Sequence, residues 1–128
     1  MNAADALQGA RVLVTGGHGF IGRPLSMRLG KAGAQVVALS RTPHPDSEYF
    51  RSEAVDLCDE AAVNALFSRF RPDIVLHLAS YVVGKRTEEV VLSTFHNNLT
   101  STVHLLLAAQ RTGCRRVVLT GSLSRRSV

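Results

Sequence analysis

The sequence predicts an α/β protein built on one doubly wound parallel sheet. Short apolar runs alternate with segments long enough for a helix, as in parallel strands that are joined by right-handed helical crossovers. The first run, 11–14, ends in a glycine-rich turn, and a helical pattern follows that turn directly. Together these observations favour a single sheet with the strand order 3-2-1-4-5.

Five runs are predicted to be strands, and a helix follows the glycine turn. The strands are expected at 11–14, 35–39, near 53–55, at 74–79 and at 116–119. In the first helix, Ile21, Leu25 and Leu29 recur at intervals of four residues and form one face. Gly30 and Gly33 are predicted to end this helix.

Two further helical patterns complete the alternation. The first is capped by Asp59 or Asp56 and stops at 71–73. Its apolar positions recur with a period of about 3.6: Ala62, Val63, Leu66, Phe67 and Phe70. The second is a long helix that is predicted to begin between 87 and 90 and to end near Gly113. Its residues at helical spacing are Leu99, Val103, Leu106, Leu107 and Gln110.

Length and composition are those of one soluble globular domain. The 128 residues fit a single domain, 1–128, in which 45% of residues are hydrophobic and 20% are charged. No apolar run approaches the roughly 20 residues of a membrane helix, and 1–10 do not resemble a signal peptide. The isolated Cys58 and Cys114 lack metal-ligand spacing. We therefore expect a cytoplasmic protein without a metal site or a membrane partner.

The formal charge of +5 raises the question of nucleic-acid binding. Most arginines are scattered along the chain. Those that cluster lie near the C-terminus: Arg115, Arg116, Arg125 and Arg126. No aromatic residues interleave with this cluster to stack on bases. An ordinary basic surface is the favoured interpretation, and the alternative is nucleic-acid binding that falls steeply with salt.

The turn at 15–22, TGGHGFIG, predicts a phosphate cradle of the Rossmann type. Gly16 lets the chain turn sharply after the strand, and Gly19 lets the backbone approach a phosphate with which a Cβ would collide. Gly22 is predicted to let the helix pack closely on the sheet. The helix N-terminus then offers N–H groups and a positive dipole end to a pyrophosphate. The alternative is a structural turn with three fortuitous glycines.

The end of the second predicted strand bears on the choice of cofactor. NAD binders often carry an acidic residue about 20 residues past the glycines, where it holds the ribose hydroxyls. This sequence has Ser40 and Arg41 at that place. A carboxylate would repel a 2′-phosphate, whereas a guanidinium pairs with one in a bidentate way. NADP is therefore favoured over NAD; the alternative is that Arg41 is only a solvated loop residue.

The whole turn, including Phe20 and Ile21, resembles the TGxxGFxG turn of the extended short-chain dehydrogenases/reductases. These are NAD(P)-dependent epimerases and dehydratases that act largely on nucleotide sugars, and the resemblance runs from about 11 to 122. It implies that Phe20 and Ile21 take part in cofactor binding. It also implies that a full-length relative transfers a hydride between a sugar carbon and the nicotinamide, and that such a relative can form a homodimer.

Further segments resemble the same family in the same order. Asp56 and Leu57 match its Asp-Leu pair, whose carboxylate binds the adenine amino group; a helix cap is the other interpretation of Asp56. The family's HxAA segment corresponds here to His77, Leu78, Ala79 and Ser80. The backbone and small side chains of that segment pass under the adenosine and the nicotinamide ribose. His77 by itself is more typical of a core histidine.

Two more matches concern the reacting end of the site. The segment 98–102 resembles the family's NVxGT element, in which the asparagine, here Asn98, braces the active site. Ser101 stands where the family usually has glycine. Ser122 follows the last predicted strand and resembles the serine that hydrogen-bonds the reacting hydroxyl or carbonyl group.

The family's acid/base pair, Tyr-x-x-x-Lys, is expected beyond residue 128. Tyr81 and Lys85 have that spacing, but Gly84 and two valines disfavour the helical turn that would bring them to one face. The tail 123–128 departs from the family pattern, so we expect a truncated sheet with its C-terminal strands and substrate region missing. Such a chain is predicted to associate, to bind cofactor weakly and to catalyse poorly. The alternative is a non-catalytic dinucleotide-binding or interaction module.

Overall fold

The computed structural model describes residues 2–80 and 87–121. These residues contain one five-stranded sheet in which the strands have the order β3-β2-β1-β4-β5. The strands are β1 Arg11–Thr15, β2 Gln35–Ser40, β3 Arg51–Ala54, β4 Ile74–His77 and β5 Arg116–Leu119. Every neighbouring pair is parallel. The predicted doubly wound order is therefore confirmed.

Helices precede β1 and connect the strands, except that a loop, 41–50, joins β2 to β3. The helices are α1 Ala3–Leu7, α2 Gly22–Lys31, α3 Glu60–Phe70, α4 Glu88–Phe95 and α5 Ser101–Arg111. The short α1 was not predicted because it has no apolar periodicity. A capping box starts it instead, in which Asn2 and Asp5 each accept a hydrogen bond from the other's backbone N–H.

The sheet has a core on each face because side chains alternate along a strand. In β1, Val12 and Val14 point to the face that α2 covers, where they pack with Leu29. Leu13 points to the other face and belongs to the cluster that contains Phe67 of α3 and Leu105 of α5. Strands buried on both faces read as continuous apolar runs, which is why the sequence revealed them.

Hydrogen bonds decide which of the two candidate residues caps α3. Asp59 is the N-cap, since its carboxylate accepts from the N–H of Ala62 at 3.1 Å. Asp56 instead accepts from the N–H of Cys58 at 2.9 Å, just after β3. The helix ends at Phe70, and its C-cap, Arg71, has the left-handed φ of 50°. The predicted stop at 71–73 is therefore confirmed, and Asp56 is not the cap.

The predicted long helix is interrupted between α4 and α5 by five π-helical residues, His96–Thr100, called the π-segment below. The buried residues of α5 are Ser101, Leu105, Ala108 and Ala109. The apolar row singled out by spacing lies on another face: Leu99, Val103, Leu106 and Leu107 are 38–47% exposed. Helical spacing identifies a row of residues but does not say which row faces the sheet.

No helix within 2–80 and 87–121 is both long and apolar enough to cross a membrane.

Candidate functional site

The glycine turn is held together by close backbone contacts. Gly16 has a φ of +65°, which favours glycine, and it directly follows β1. A Cβ on Gly22 would lie 1.9 Å from the carbonyl oxygen of Gly16. A Cβ on Gly17 would lie 2.5 Å from the Cβ of Ala38 in β2. The prediction for Gly22 is thus corrected: it lets α2 approach the turn itself, and Gly17 is the glycine packed on the sheet.

Gly19 differs from these packing glycines. A Cβ there would meet only the carbonyl oxygen of Gly16, at 3.2 Å. Gly19 is exposed and lines a cavity at the carboxyl ends of the strands. A small side chain at this position would therefore cost the fold little and would occupy space at the cavity wall.

The cavity has a volume of about 320 Å³, at the small end of the range of ligand pockets. Ten of the residues predicted to bind cofactor line it: Gly16, Gly19, Ser40, Arg41, Asp56, Leu57, Leu78, Ala79, Ser80 and Asn98. The structure does not place Phe20, Ile21 or Gly22 in the lining. Phe20 is 98% exposed and Ile21 67% exposed, while Gly22 is buried beneath the turn.

Sequence reasoning missed six residues of the lining: Thr15, Leu39, Val55, Cys58, Asn97 and Ser101. Thr15, Leu39 and Val55 lie at the carboxyl ends of β1, β2 and β3 or directly after them. The rule that ligands of open α/β sheets bind at these ends would have indicated all three. The other three depend on how the π-segment packs, which no local pattern reveals.

A second cavity of about 250 Å³ adjoins the first at the ends of β4 and β5. Its lining consists of His77, Ala79, Ser80, Asn98, Thr102, Leu119 and Thr120. Ala79, Ser80 and Asn98 line both cavities. The two cavities therefore form neighbouring parts of one groove along the carboxyl edge of the sheet, from β3 to β5.

Charged and polar groups in the first cavity come from the strand ends. Arg41 and Asp56 carry opposite charges beside Cys58. Burial raises the pKa of the Cys58 thiol, the Asp56 carboxylate raises it further, and Arg41 partly opposes both. The thiol therefore stays protonated near neutral pH and is a poor nucleophile. Ser40 donates its hydroxyl proton to the carbonyl of Thr42.

The imidazole of His18, a residue of the glycine turn, packs against the loop between β2 and β3. It stacks on His44 with the ring centroids 4.0 Å apart and meets the edge of Phe50 at 5.6 Å. Neither ring nitrogen of His18 has a hydrogen-bond partner among the described residues. Burial lowers the pKa of His18, and the charges of His44 and Arg23 lower it further. The folded chain therefore favours the neutral ring.

This shift predicts that the chain loses stability in mild acid. The unfolded chain binds the His18 proton with a pKa of about 6.5, and the folded chain binds it less tightly. The stability contributed by the neutral ring is present above about pH 6.5 and is lost as the pH falls below that value. Urea denaturation of wild type and of His18→Phe, which keeps a ring but cannot titrate, measures the effect.

We expect the free energy of unfolding to fall less between about pH 8 and pH 5 in His18→Phe than in wild type. Replacing the exposed His96 by glutamine is the control and should leave the wild-type pH dependence in place. If the free energy of unfolding depends equally on pH in His18→Phe and in wild type, the shifted pKa of His18 does not contribute to the loss of stability in acid.

The described residues contain no group of three or more His, Cys, Asp or Glu side chains that could hold a metal ion. The groove instead combines a glycine turn, apolar walls and one residue of each charge. Residues 12–125 match the model of the NAD dependent epimerase/dehydratase family. The chain belongs to that family. The resemblance noted in the sequence and the predicted Rossmann fold are both confirmed.

Relatives of this epimerase/dehydratase family member include a UDP-glucose 4-epimerase from Mycolicibacterium smegmatis. That protein is 35% identical over 121 residues, which cover 88% of this chain and 38% of the relative. An epimerase structure from Methanothermobacter thermautotrophicus matches with a TM-score of 0.78 at 31% identity, covering 89% of this chain and 35% of the other. UDP-glucose 4-epimerase of Thermus thermophilus, solved in complex with NAD, gives 0.75 at 32% identity, covering 84% and 36%. The chain thus spans little more than a third of these proteins.

Three features of the sequence lie outside the described residues of this family member. They are Ser122, the Tyr81 to Lys85 pair and the tail 123–128. The predicted role of Ser122 and the rejection of Tyr81 as an acid/base group stay predictions.

Proposed function

We propose that this chain is the dinucleotide-binding part of an oxidoreductase of the epimerase/dehydratase type. The observation that carries the proposal is the groove at the carboxyl edge of the sheet. The glycine turn forms part of its wall, and Gly16 and Gly19 leave space there because they have no side chains. The structure of the Thermus thermophilus relative was solved in complex with NAD, which supports a nicotinamide dinucleotide as the ligand.

In this proposal the pyrophosphate lies against Gly16 and Gly19. The helix α2 begins at Gly22, three residues after Gly19, so its positive dipole end lies close to the phosphates. Phe20 and Ile21 would contribute backbone N–H groups rather than side chains, because neither residue lines the first or the second cavity.

The adenosine end is assigned to the walls formed after β2 and β3. Leu39, Val55 and Leu57 supply apolar surface for the base, and the carboxylate of Asp56 can accept from its amino group. The ribose and nicotinamide would follow the groove past Leu78, Ala79 and Ser80 towards Asn98. The shared lining of the two cavities supports this direction, because a dinucleotide is longer than either cavity.

When bound, the nicotinamide would exchange a hydride with a carbon of the substrate. This chain's own residues bind and orient the cofactor: Asn98 lies between the two cavities, and the predicted role of Ser122 is to hold the reacting hydroxyl or carbonyl. The relatives named UDP-glucose 4-epimerase support a nucleotide sugar as the substrate of the whole protein. We place that protein in the cytoplasm, where it would act as a homodimer.

The proposed cofactor is NADP rather than NAD, because Arg41 lines the cavity beside Ser40 and can pair with a 2′-phosphate. Replacing Arg41 by alanine should weaken NADP binding by about ten- to a hundredfold, since charge-assisted hydrogen bonds are lost. Binding of NAD, which has no 2′-phosphate, should change by less than about threefold. Calorimetric titration of both dinucleotides measures the difference.

Arg28→Ala is the matched control for this experiment. Arg28 is an exposed arginine of α2 that does not line the cavity, so its loss removes the same charge at a distance. If Arg41→Ala loses no more affinity for NADP than for NAD, the assignment of Arg41 to the 2′-phosphate is wrong. If wild type binds neither dinucleotide, the proposed function is wrong.

A further inference from the structure

A series of hydrogen bonds, called the relay below, connects Thr15 in the lining of the first cavity with His77 and Thr102 in the lining of the second. Thr15 at the end of β1 and His77 at the end of β4 are 0% and 6% exposed. The Oγ1 of Thr15 lies 2.7 Å from Nδ1 of His77. The Nε2 of His77 lies 3.1 Å from Oγ1 of Thr102, whose hydroxyl donates to the carbonyl oxygen of Asn98 at 2.7 Å. The relay therefore runs from β1 to the π-segment.

The contacts of Thr15 determine where the protons of the relay lie. Its Oγ1 accepts from the backbone N–H groups of Leu78 and Ala79, both at 3.1 Å. A threonine hydroxyl has two acceptor lone pairs and one proton, so its proton is left for Nδ1 of His77. Nδ1 must then be an acceptor, which fixes His77 as the neutral tautomer with its proton on Nε2.

The remaining hydrogen bonds of the relay all donate in the same direction, towards Asn98. Since Nε2 of His77 carries the proton, it donates to Oγ1 of Thr102. The hydroxyl proton of Thr102 is then directed to the carbonyl of Asn98, which also accepts from Oγ of Ser101 at 3.2 Å. Burial lowers the pKa of His77, which keeps the ring neutral as this arrangement requires.

The relay joins the floor of the groove to its wall. Leu78 and Ala79, which donate to Thr15, form the floor after β4, and Asn98 lies in the π-segment of the wall. A π-helical insertion shifts the residues after it by one position, and it persists only where other contacts stabilise it. Fixing the Asn98 carbonyl with two hydroxyls is such a contact.

We propose that Thr15, His77 and Thr102 are positioning residues, whose one-directional relay holds Asn98 at the boundary between the two cavities. We expect the relay to set the affinity for the dinucleotide, and this consequence rests on the proposed function. The relay explains why a histidine is buried at the end of β4. A neutral imidazole can accept a hydrogen bond from the hydroxyl of Thr15 on one side and donate one to the hydroxyl of Thr102 on the other.

The tautomer is tested by ¹⁵N NMR of the histidine rings in the free chain near neutral pH. We expect a single Nε2–H tautomer for His77, with Nδ1 as an unprotonated acceptor. Thr15→Val, which removes the proton that Nδ1 accepts, should allow the other tautomer to appear. A wild-type His77 with its proton on Nδ1, or a mixture of tautomers, would overturn the proposed direction of the relay.

The positioning role is tested with Thr102→Val and Thr102→Ser. Valine keeps the shape but loses the hydroxyl, so NADP⁺ should bind about three- to tenfold more weakly, and the side-chain amide signals of Asn98 should shift. Serine keeps the hydroxyl and should restore the affinity to within about twofold of wild type. Unchanged affinity and unchanged Asn98 signals in Thr102→Val would overturn the proposal.

Thr112→Val is the matched control, because the chain offers the same bond at the other end of α5. The hydroxyl of Thr112 donates to the carbonyl of Ala108 at 2.8 Å, four residues back, far from both cavities. Its loss should reduce stability without weakening binding or moving the Asn98 signals. If Thr112→Val weakens binding as much as Thr102→Val, the effect is one of general stability and the proposal fails. If wild type binds no dinucleotide, the proposed function fails, and the Asn98 signals still decide the positioning role.

Discussion

Replacing Gly19 by valine is expected to abolish dinucleotide binding while the chain stays folded. Gly19 lines the cavity, and the branched side chain would occupy the space that the pyrophosphate is proposed to take. The fold should tolerate the change, because a Cβ on Gly19 meets only the carbonyl oxygen of Gly16, at 3.2 Å. Calorimetric titration with NADP⁺ measures the binding, and far-ultraviolet circular dichroism measures the helical content.

Gly19→Ala is the graded control for this prediction. One methyl group should weaken binding without removing it, so the affinities should fall in the order glycine, alanine, valine. Retained binding in a folded Gly19→Val would contradict the phosphate cradle. Loss of both binding and helical signal would show instead that Gly19, like Gly22, is needed for packing.

The sequence predicted the sheet because the determinants of its order are local and periodic. Val12, Leu13 and Val14 form a continuous apolar run because both faces of β1 are buried, and the glycine turn follows that run directly. The parallel crossovers then restrict the order of the strands. Nine of the ten predicted site residues that line the first cavity lie on this framework, in the turn, at strand ends or shortly after them. The tenth, Asn98, lies in the π-segment.

The parts that could not be predicted depend on contacts between distant residues. Thr15 and His77 are 62 residues apart in sequence, and His77 and Thr102 are 25 apart. No spacing rule connects a threonine before a glycine turn with a histidine on another strand. The π-segment was likewise missed, because the helical pattern on either side of His96–Thr100 continues without a proline or glycine.

Family resemblance predicted the path of the backbone better than the contacts of side chains. Phe20 and Ile21 match the family's turn, yet the described residues leave Phe20 98% exposed. The match identifies the turn because its shape requires glycines at fixed positions. It does not say what the two apolar side chains between those glycines contact. An exposed aromatic ring beside a proposed cofactor site is therefore a finding of the structure.

Replacing Gly22 by alanine is expected to destabilise the fold strongly, by about 3 kcal/mol or more, which exceeds the usual cost of overpacking. The new Cβ would lie 1.9 Å from the carbonyl oxygen of Gly16 and 2.9 Å from the Cα of Gly17. Both are backbone atoms, so no side-chain rotation can relieve the overlap. Either the turn or the start of α2 must move, and the turn is held to β2 by the hydrogen bond from the N–H of Gly17 to the carbonyl of Leu39.

Gly19→Ala is again the matched control, because the same methyl group is added three residues away in the same turn. Its contact of 3.2 Å requires a shift of only a few tenths of an ångström, so the expected cost is below about 1 kcal/mol. Urea denaturation of the two variants measures both free energies of unfolding. If Gly22→Ala proves as stable as Gly19→Ala, the turn is softer than its contacts indicate. A large difference would distinguish Gly22, which shapes the turn, from Gly19, which lines the cavity.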